Sequence, residues 1–235
     1  FKNVIGYYPP VIHHLGVILH FSSGIPAYDT SYFMIFFSAI LAAFVMYIII
    51  RSYNKQIAIL SLPLAILIFS NKSYIGFLWG SWASLTGQLM LICVFWAIRR
   101  IDMGKIEILL GIFLGALALA HTSELVYSIG FIFIYATFLL IYKKFSSKFA
   151  KKILIAGLVS GIIAAYYLFI FINSFAVMNP YTFSIAKDWG GTPLFQLTDF
   201  KLLLVFLVIG VIASFMLLKK MSLPIIAGFY MLAIG

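Results

Sequence analysis

The chain has 235 residues, of which 64 % are apolar and only 9 % charged, with a formal net charge of +10. That composition excludes an ordinary soluble domain. The positive charge does not point to nucleic acid, because no basic stretch is interleaved with exposed aromatics. Twelve of the sixteen Lys and Arg fall in four clusters, Arg51–Lys55, Arg99–Lys105, Lys143–Lys152 and Lys219–Lys220, with long uncharged stretches between them. Basic loops at regular intervals mark the cytoplasmic side of a polytopic helical membrane protein.

The first 29 residues form an outer-face loop and a short helix. Pro9-Pro10 opens the helix, since proline is tolerated in a first turn. The apolar run that follows, Val11 to Phe21, carries His13, His14 and His20 and is too short to cross a bilayer. It reads as an interfacial helix lying flat or shallow on the outer face, followed by the turn Ser22-Ser23-Gly24-Ile25-Pro26. His13 and His14 point about 100° apart on a helix, so they do not share one metal ion. An imidazole at headgroup level can bond a phosphate or simply sit at the interface.

Residues 30–235 form the transmembrane domain, an all-α bundle of about seven spans and a truncated eighth. A bilayer core needs about 20 apolar residues per helix. The qualifying runs are 30–50, 56–71, 74–98, 106–121, 123–142, 152–176 and 201–218, and another starts near Ser222. With the basic clusters inside, the outer segments are 1–29, the turns near 71–74 and 121–123, and the loop 177–200. Only Lys2, Lys72, Lys187 and Lys201 then lie outside. Asp29, Glu124, Asp188 and Asp199 lie at or near the outer face, whereas Asp102 and Glu107 are inside.

The run 74–98 begins with Gly76, Trp79, Gly80, Ser81, Trp82, Ser84, Thr86, Gly87 and Gln88. Interfacial tryptophan explains either indole, and together with Gln88 they can also line a cavity opening outward. Gly76–Gly80, Gly111–Gly115 and Gly157–Gly161 have the spacing that lets membrane helices pack closely. Cys93, the single cysteine, lies in an apolar run and forms no intrachain disulfide.

Ala120-His121-Thr122-Ser123-Glu124 follows. An ionisable residue near membrane depth is costly and marks a function by default. His121 and Glu124, three apart, share a face on a helix. They read either as a polar turn wet by outside water or as a pair that binds substrate or handles a proton. In the loop 177–200, Lys187, Asp188 and Trp189 offer cation, anion and stacking surface together, a weak sign of sugar binding. No phosphate loop, zinc-spaced cluster or serine nucleophile elbow is present.

The order Tyr8-Pro9-Pro10-x-x-His13, a first span ending at Arg51, an aromatic and glycine-rich start to a later span, and Ala118-Leu119-Ala120-His121-Thr122 resembles the GT-C superfamily of integral membrane glycosyltransferases, over about residues 7–175. The resemblance implies a mannosyltransferase-like enzyme of the cell envelope, in the cytoplasmic membrane. It would move a sugar from a polyprenyl-phosphate donor to an acceptor on the outer face. It places Tyr8, Pro9, Pro10 and His13 at the edge of the donor groove and His121 in the turn facing it. His14, Lys72, Trp79, Trp82, Glu124 and Asp188 are further candidates for binding donor or substrate.

The family's base or metal ligand is an acid in its first outer loop. That segment is expected upstream of Phe1, since both ends of this chain read as cut, so no catalytic residue carries over. No resident cofactor follows from these residues, and the resemblance leaves room for a divalent metal in the full-length protein. The competing reading is a transporter or flippase of a lipid or small solute. It needs polar residues continuing to the inner side, whereas these helices are polar mainly in their outer halves. An O-antigen type polymerase or ligase would carry a large Arg-rich outer loop, and the loop 177–200 has only Lys187.

Overall fold

The computed structural model describes residues 11–63, 65–66, 82–141 and 143–176, and among these it is helical with no strand. The elements are α1 (Val11–Ser23), α2 (Ala27–Arg51), α3 (55–63), α4 (Trp82–Arg99), α5 (Ile106–Ala120), α6 (Thr122–Ile141) and α7 (Ser147–Ala176). Contacts divide the chain into two compact units, one of residues up to Ser128 with Phe145–Ser174, the other of Ile129–Lys144 with the residues from Phe175 on. The expected spans 201–218 and beyond lie outside the described residues, as does most of 66–81.

Among the described residues, three helices are long and apolar enough to cross a membrane: Ala27–Arg51, Glu124–Ile141 and Ser147–Ile170. In α2 the polarity is reversed from that of a soluble helix. Thr30, Ser31, Ser38, Ala39, Ala42 and Ala43 are buried with Ile35, while Tyr28, Phe33, Phe37, Ile40, Phe44 and Ile48 face outward. Small and hydroxylated side chains let neighbouring helices approach, and the large apolar ones suit hydrocarbon rather than water. In α7, Leu154, Leu158, Ile162 and Phe169 are likewise exposed.

Several boundaries are set by caps. The Ser146 hydroxyl accepts a bond from Phe149 N–H at 3.1 Å, which starts α7 five residues earlier than the apolar run suggests. Asn54 Oδ1 caps α3 through the N–H groups of Gln56 and Ile57, at 2.9 and 3.1 Å. In the second unit, Lys143 adopts a left-handed backbone (φ 54°) after α6, and Lys144 N–H bonds Leu139 O at 2.8 Å. This pattern closes the helix end around a residue type that pays for having a Cβ there.

α1 returns antiparallel along α2, with Ile12 packed on Ile35 and Gly16 against Thr30 and Ser31. The Thr30 hydroxyl donates to Gly16 O at 3.0 Å in a buried position, and His20 Nδ1 donates to Ile25 O at 2.6 Å across the turn. Thr30→Val keeps the shape and removes the inter-helix bond. A loss of about 1 kcal/mol is expected, read as an earlier midpoint when the protein is unfolded by SDS in mixed micelles.

Residues from three basic segments meet at one end of the first unit. The Arg99 guanidinium lies 3.9 Å from the Tyr53 ring centroid, joining the first cluster to the second. Burial raises the Tyr53 phenol above its usual pKa, with Arg99 pulling the other way. Lys152 Nζ donates to Ile101 O at 2.6 Å and Gly104 O at 3.1 Å, joining the third cluster to the second. Lys152 also lies 3.2 Å from Glu107 Oε2, an ion pair outside hydrogen-bond geometry.

From that end α5 and α7 run side by side. A Cβ built on Gly111 would lie 2.6 Å from Val159 Cβ and 2.7 Å from Ala156 O, and one on Gly115 would lie 2.9 Å from Ile163 Cβ. The Gly111–Gly115 spacing is therefore a packing seam. Gly157 and Gly161 have nothing within 4 Å of a built Cβ. They are turned off the face on which Lys152, Ala156, Val159 and Ile163 meet α5, at about 100° per residue.

Candidate functional site

At the other end of the first unit, three elements frame a cavity of about 400 Å³. Val11 and His14 come from the start of α1, Leu119 from the last turn of α5, and Ile163, Tyr166, Tyr167 and Ile170 from α7. The wall is mostly apolar, with one imidazole and two phenols as its polar groups. Tyr166 and Ile170 lie 14 and 18 residues beyond Lys152, about 21 and 27 Å along the helix axis at 1.5 Å per residue. That separation is close to the roughly 30 Å thickness of a bilayer's hydrocarbon core.

Next to Leu119 in the chain, α5 ends. His121 is extended (φ −162°, ψ 122°), its N–H still bonded to Leu117 O and its carbonyl accepting from Leu125 N–H. It thus closes one helix and opens the next. This break is what allows its ring to reach Glu124 in the first turn of α6. His121 Nδ1 donates to Glu124 Oε2. The Glu124 side chain is 7 % exposed and that of His121 30 %. Across from them stands Gly87 of α4, where a Cβ would sit 3.2 Å from both Glu124 Cδ and His121 Cβ. One turn beyond Glu124, Ser128 is fully buried, and its hydroxyl has no partner among the described residues.

The structure therefore brings two sets of expected residues into use. His121 and Glu124 are bonded to each other, and His14 lines the cavity while remaining exposed. His13, also exposed, is not part of the cavity wall. Trp82 begins α4, five residues before Gly87. Tyr8, Lys72, Trp79 and Asp188 lie outside the described residues. Among the described residues no group of three or more His, Cys, Asp or Glu is placed to hold a metal ion.

The α7 wall was missed at the sequence level. Its signal is the helical spacing of Ile163, Tyr166, Tyr167 and Ile170, which reads as ordinary lipid-facing surface until α1 is seen beside it. Gly87 reads in the sequence only as one small residue among several, although it is the one that admits the His121–Glu124 pair.

No protein-family model matches this chain, and neither does any curated protein or solved structure. The functional reading therefore rests on the residues and their geometry.

Proposed function

We propose that the chain is part of a polytopic membrane glycosyltransferase that takes a sugar from a polyprenyl-phosphate donor and passes it to an acceptor on the extracytoplasmic face. The observation that carries this is the one-ended cavity. It is mostly apolar along α5 and α7, has His14 at its α1 wall, and lies at the end away from the basic clusters. An isoprenoid tail favours the apolar wall, and an imidazole can bond the phosphate that follows it. Tyr166 and Tyr167 add hydroxyls at the same level. Under the positive-inside rule, the clustered Arg and Lys at the opposite end support an outer-face position for the cavity.

The same geometry speaks against transport through this part of the chain. Ile163 lines the cavity and also packs on Gly115, so the α5–α7 seam begins where the cavity ends. From there to Glu107 the α5 sequence holds no polar side chain. A substrate pathway between these two helices would have to open their tightest contacts. That supports a surface site over a channel.

Leu119→Trp fills the cavity from α5 and tests the reading. Membranes holding the full-length protein are supplied with tritiated polyprenyl-phosphate sugars, and transfer to an acceptor is measured. The donor KM should rise about tenfold or more, equivalent to about 1.4 kcal/mol of lost binding, with the amount of protein in the membrane unchanged. Unaltered donor kinetics would remove the cavity from the donor site. Failure of the unsubstituted protein to turn over any such donor, with solute uptake into vesicles instead, would establish the transporter alternative.

A further inference from the structure

We infer that Arg99 and Arg100, at the basic end of the first unit, form a binding site for the phosphate of an anionic phospholipid headgroup, a site independent of how the chain's activity is read. Arg99 is the last residue of α4 and Arg100 the first after it, and both are partly buried. Each guanidinium lies over an aromatic ring, Arg99 at 3.9 Å from the Tyr53 centroid and Arg100 at 5.2 Å from that of Trp96. Such stacking uses the face of the guanidinium and leaves N–H donors along its edge. Those are the groups that fork onto a phosphate.

What the protein does not supply at this place is an anion. Among the described residues, neither arginine has a carboxylate partner. Of the acids on the surrounding segments, Glu107 is paired with Lys152, and Asp102 is exposed and pairs with neither arginine. Against these two acids stand the eight Lys and Arg of Arg51–Lys55, Arg99–Lys105 and Lys148–Lys152. Trp96 Nε1 is buried and has no hydrogen-bond partner among the described residues, so a donor is left over beside Arg100 as well. The turn that carries the arginines is held in place. Arg100 N–H bonds Ala97 O at 3.0 Å, Met103 N–H bonds Arg100 O at 2.8 Å, and Lys152 Nζ grips Ile101 O and Gly104 O. The site is preorganised, which a loose basic loop is not.

Two observations favour a lipid over a free anion. The arginines stand where α4 ends, beside the end of α2 at Arg51, the level at which headgroups lie when apolar helices cross a membrane. Next to them, Ile57 and Leu60 of α3, four and seven residues after Tyr53, are 57 % and 78 % exposed. Three apart on one helix, they make an apolar face that acyl chains can cover while the phosphate meets the guanidiniums. Clustered Lys and Arg favour the cytoplasmic leaflet, whose anionic lipids supply the ligand.

The test titrates full-length protein, purified in detergent, with dioleoyl phosphatidylglycerol, and native mass spectrometry counts the lipid retained. One phosphatidylglycerol should be held about tenfold or more tightly than dioleoyl phosphatidylcholine. Arg99→Gln combined with Arg100→Gln should weaken its binding by about tenfold or more. Lys148→Gln with Lys151→Gln removes two charges from exposed positions at the same end and should change the affinity by about twofold at most. Equal losses from the two pairs would reduce the site to a diffuse basic surface and overturn it. Equal binding of phosphatidylcholine would do the same. Inorganic phosphate that displaces the lipid at comparable concentration would give the site to a free anion and overturn the lipid assignment. Should the glutamine pair not fold, Arg99→Lys with Arg100→Lys decides. It keeps both charges and loses the planar forks, so affinity should fall by about threefold or more. Unchanged affinity there overturns the proposal. No sugar donor takes part, so these outcomes stand apart from those of the transfer assay.

Discussion

Gly111→Leu lowers the thermal unfolding midpoint of the protein in detergent micelles by about 6–12 °C, the shift that about 3 kcal/mol gives in a domain of this size. The cause is local. Even the first carbon of a side chain at Gly111 would fall 2.6 Å from Val159 Cβ and 2.7 Å from Ala156 O. One neighbour is the branch point of a stiff side chain and the other is backbone, so neither yields by rotation. The two helices must separate, and separation loosens Gly115 against Ile163 in the next turn. Because Ile163 also lines the cavity, the cavity wall is disturbed along with stability. Gly157→Leu is the matched control. Nothing lies within 4 Å of a Cβ at Gly157, and leucine is the better helix former, so the midpoint should hold or rise slightly. Equal losses from the two substitutions would show that glycine content, rather than the α5–α7 seam, sets the stability.

These two glycines also show where sequence reading succeeds and where it stops. The apolar runs are long and their breaks carry turn residues, so helix order is legible and the bounds of α2, α5, α6 and α7 fall within a few residues of the apolar runs, aside from the capped start of α7. The spacing Gly-x-x-x-Gly occurs in α5 and again in α7, yet only the α5 pair is used. In a membrane helix every face is apolar, so periodicity does not say which face meets a neighbour. The site divides the same way. His121 and Glu124 stand out because ionisable residues are scarce there, and their spacing predicts the contact that forms. His14 was legible as a polar residue on an apolar helix. Its cavity was not, because the antiparallel return of α1 along α2 depends on Gly16 meeting Thr30 and Ser31, three small residues with no pattern of their own. Lys152 was read as a signal of membrane orientation, as were all its basic neighbours. The structure gives it a second task.

Lys152→Met should cost about 3 kcal/mol, from the two charge-assisted bonds to the carbonyls of Ile101 and Gly104. The Lys152 residue is 8 % exposed, and methionine retains most of the volume of its stem, so packing is little changed. What disappears is the ammonium that satisfies the turn between α4 and α5 and faces Glu107. The buried Ile101 carbonyl then loses its donor in a place water reaches poorly, the Gly104 carbonyl loses one at an exposed turn, and the Glu107 carboxylate loses its cation. Removing one partner of such a pair is worse than removing both. Lys152→Met combined with Glu107→Gln should therefore unfold later in an SDS titration than Lys152→Met alone, a coupling that a double-mutant cycle reads directly. Lys151→Met, at an exposed position of the same helix turn, removes the same charge and should leave the midpoint where it was. Membrane orientation should survive in all three, since many Lys and Arg remain to set it. If Lys151→Met and Lys152→Met behaved alike, the cluster would act only through its charge. A loss confined to Lys152 makes it the pin that holds the basic end of α7 against the α4–α5 turn, and so fixes the register of the helix whose far end walls the cavity.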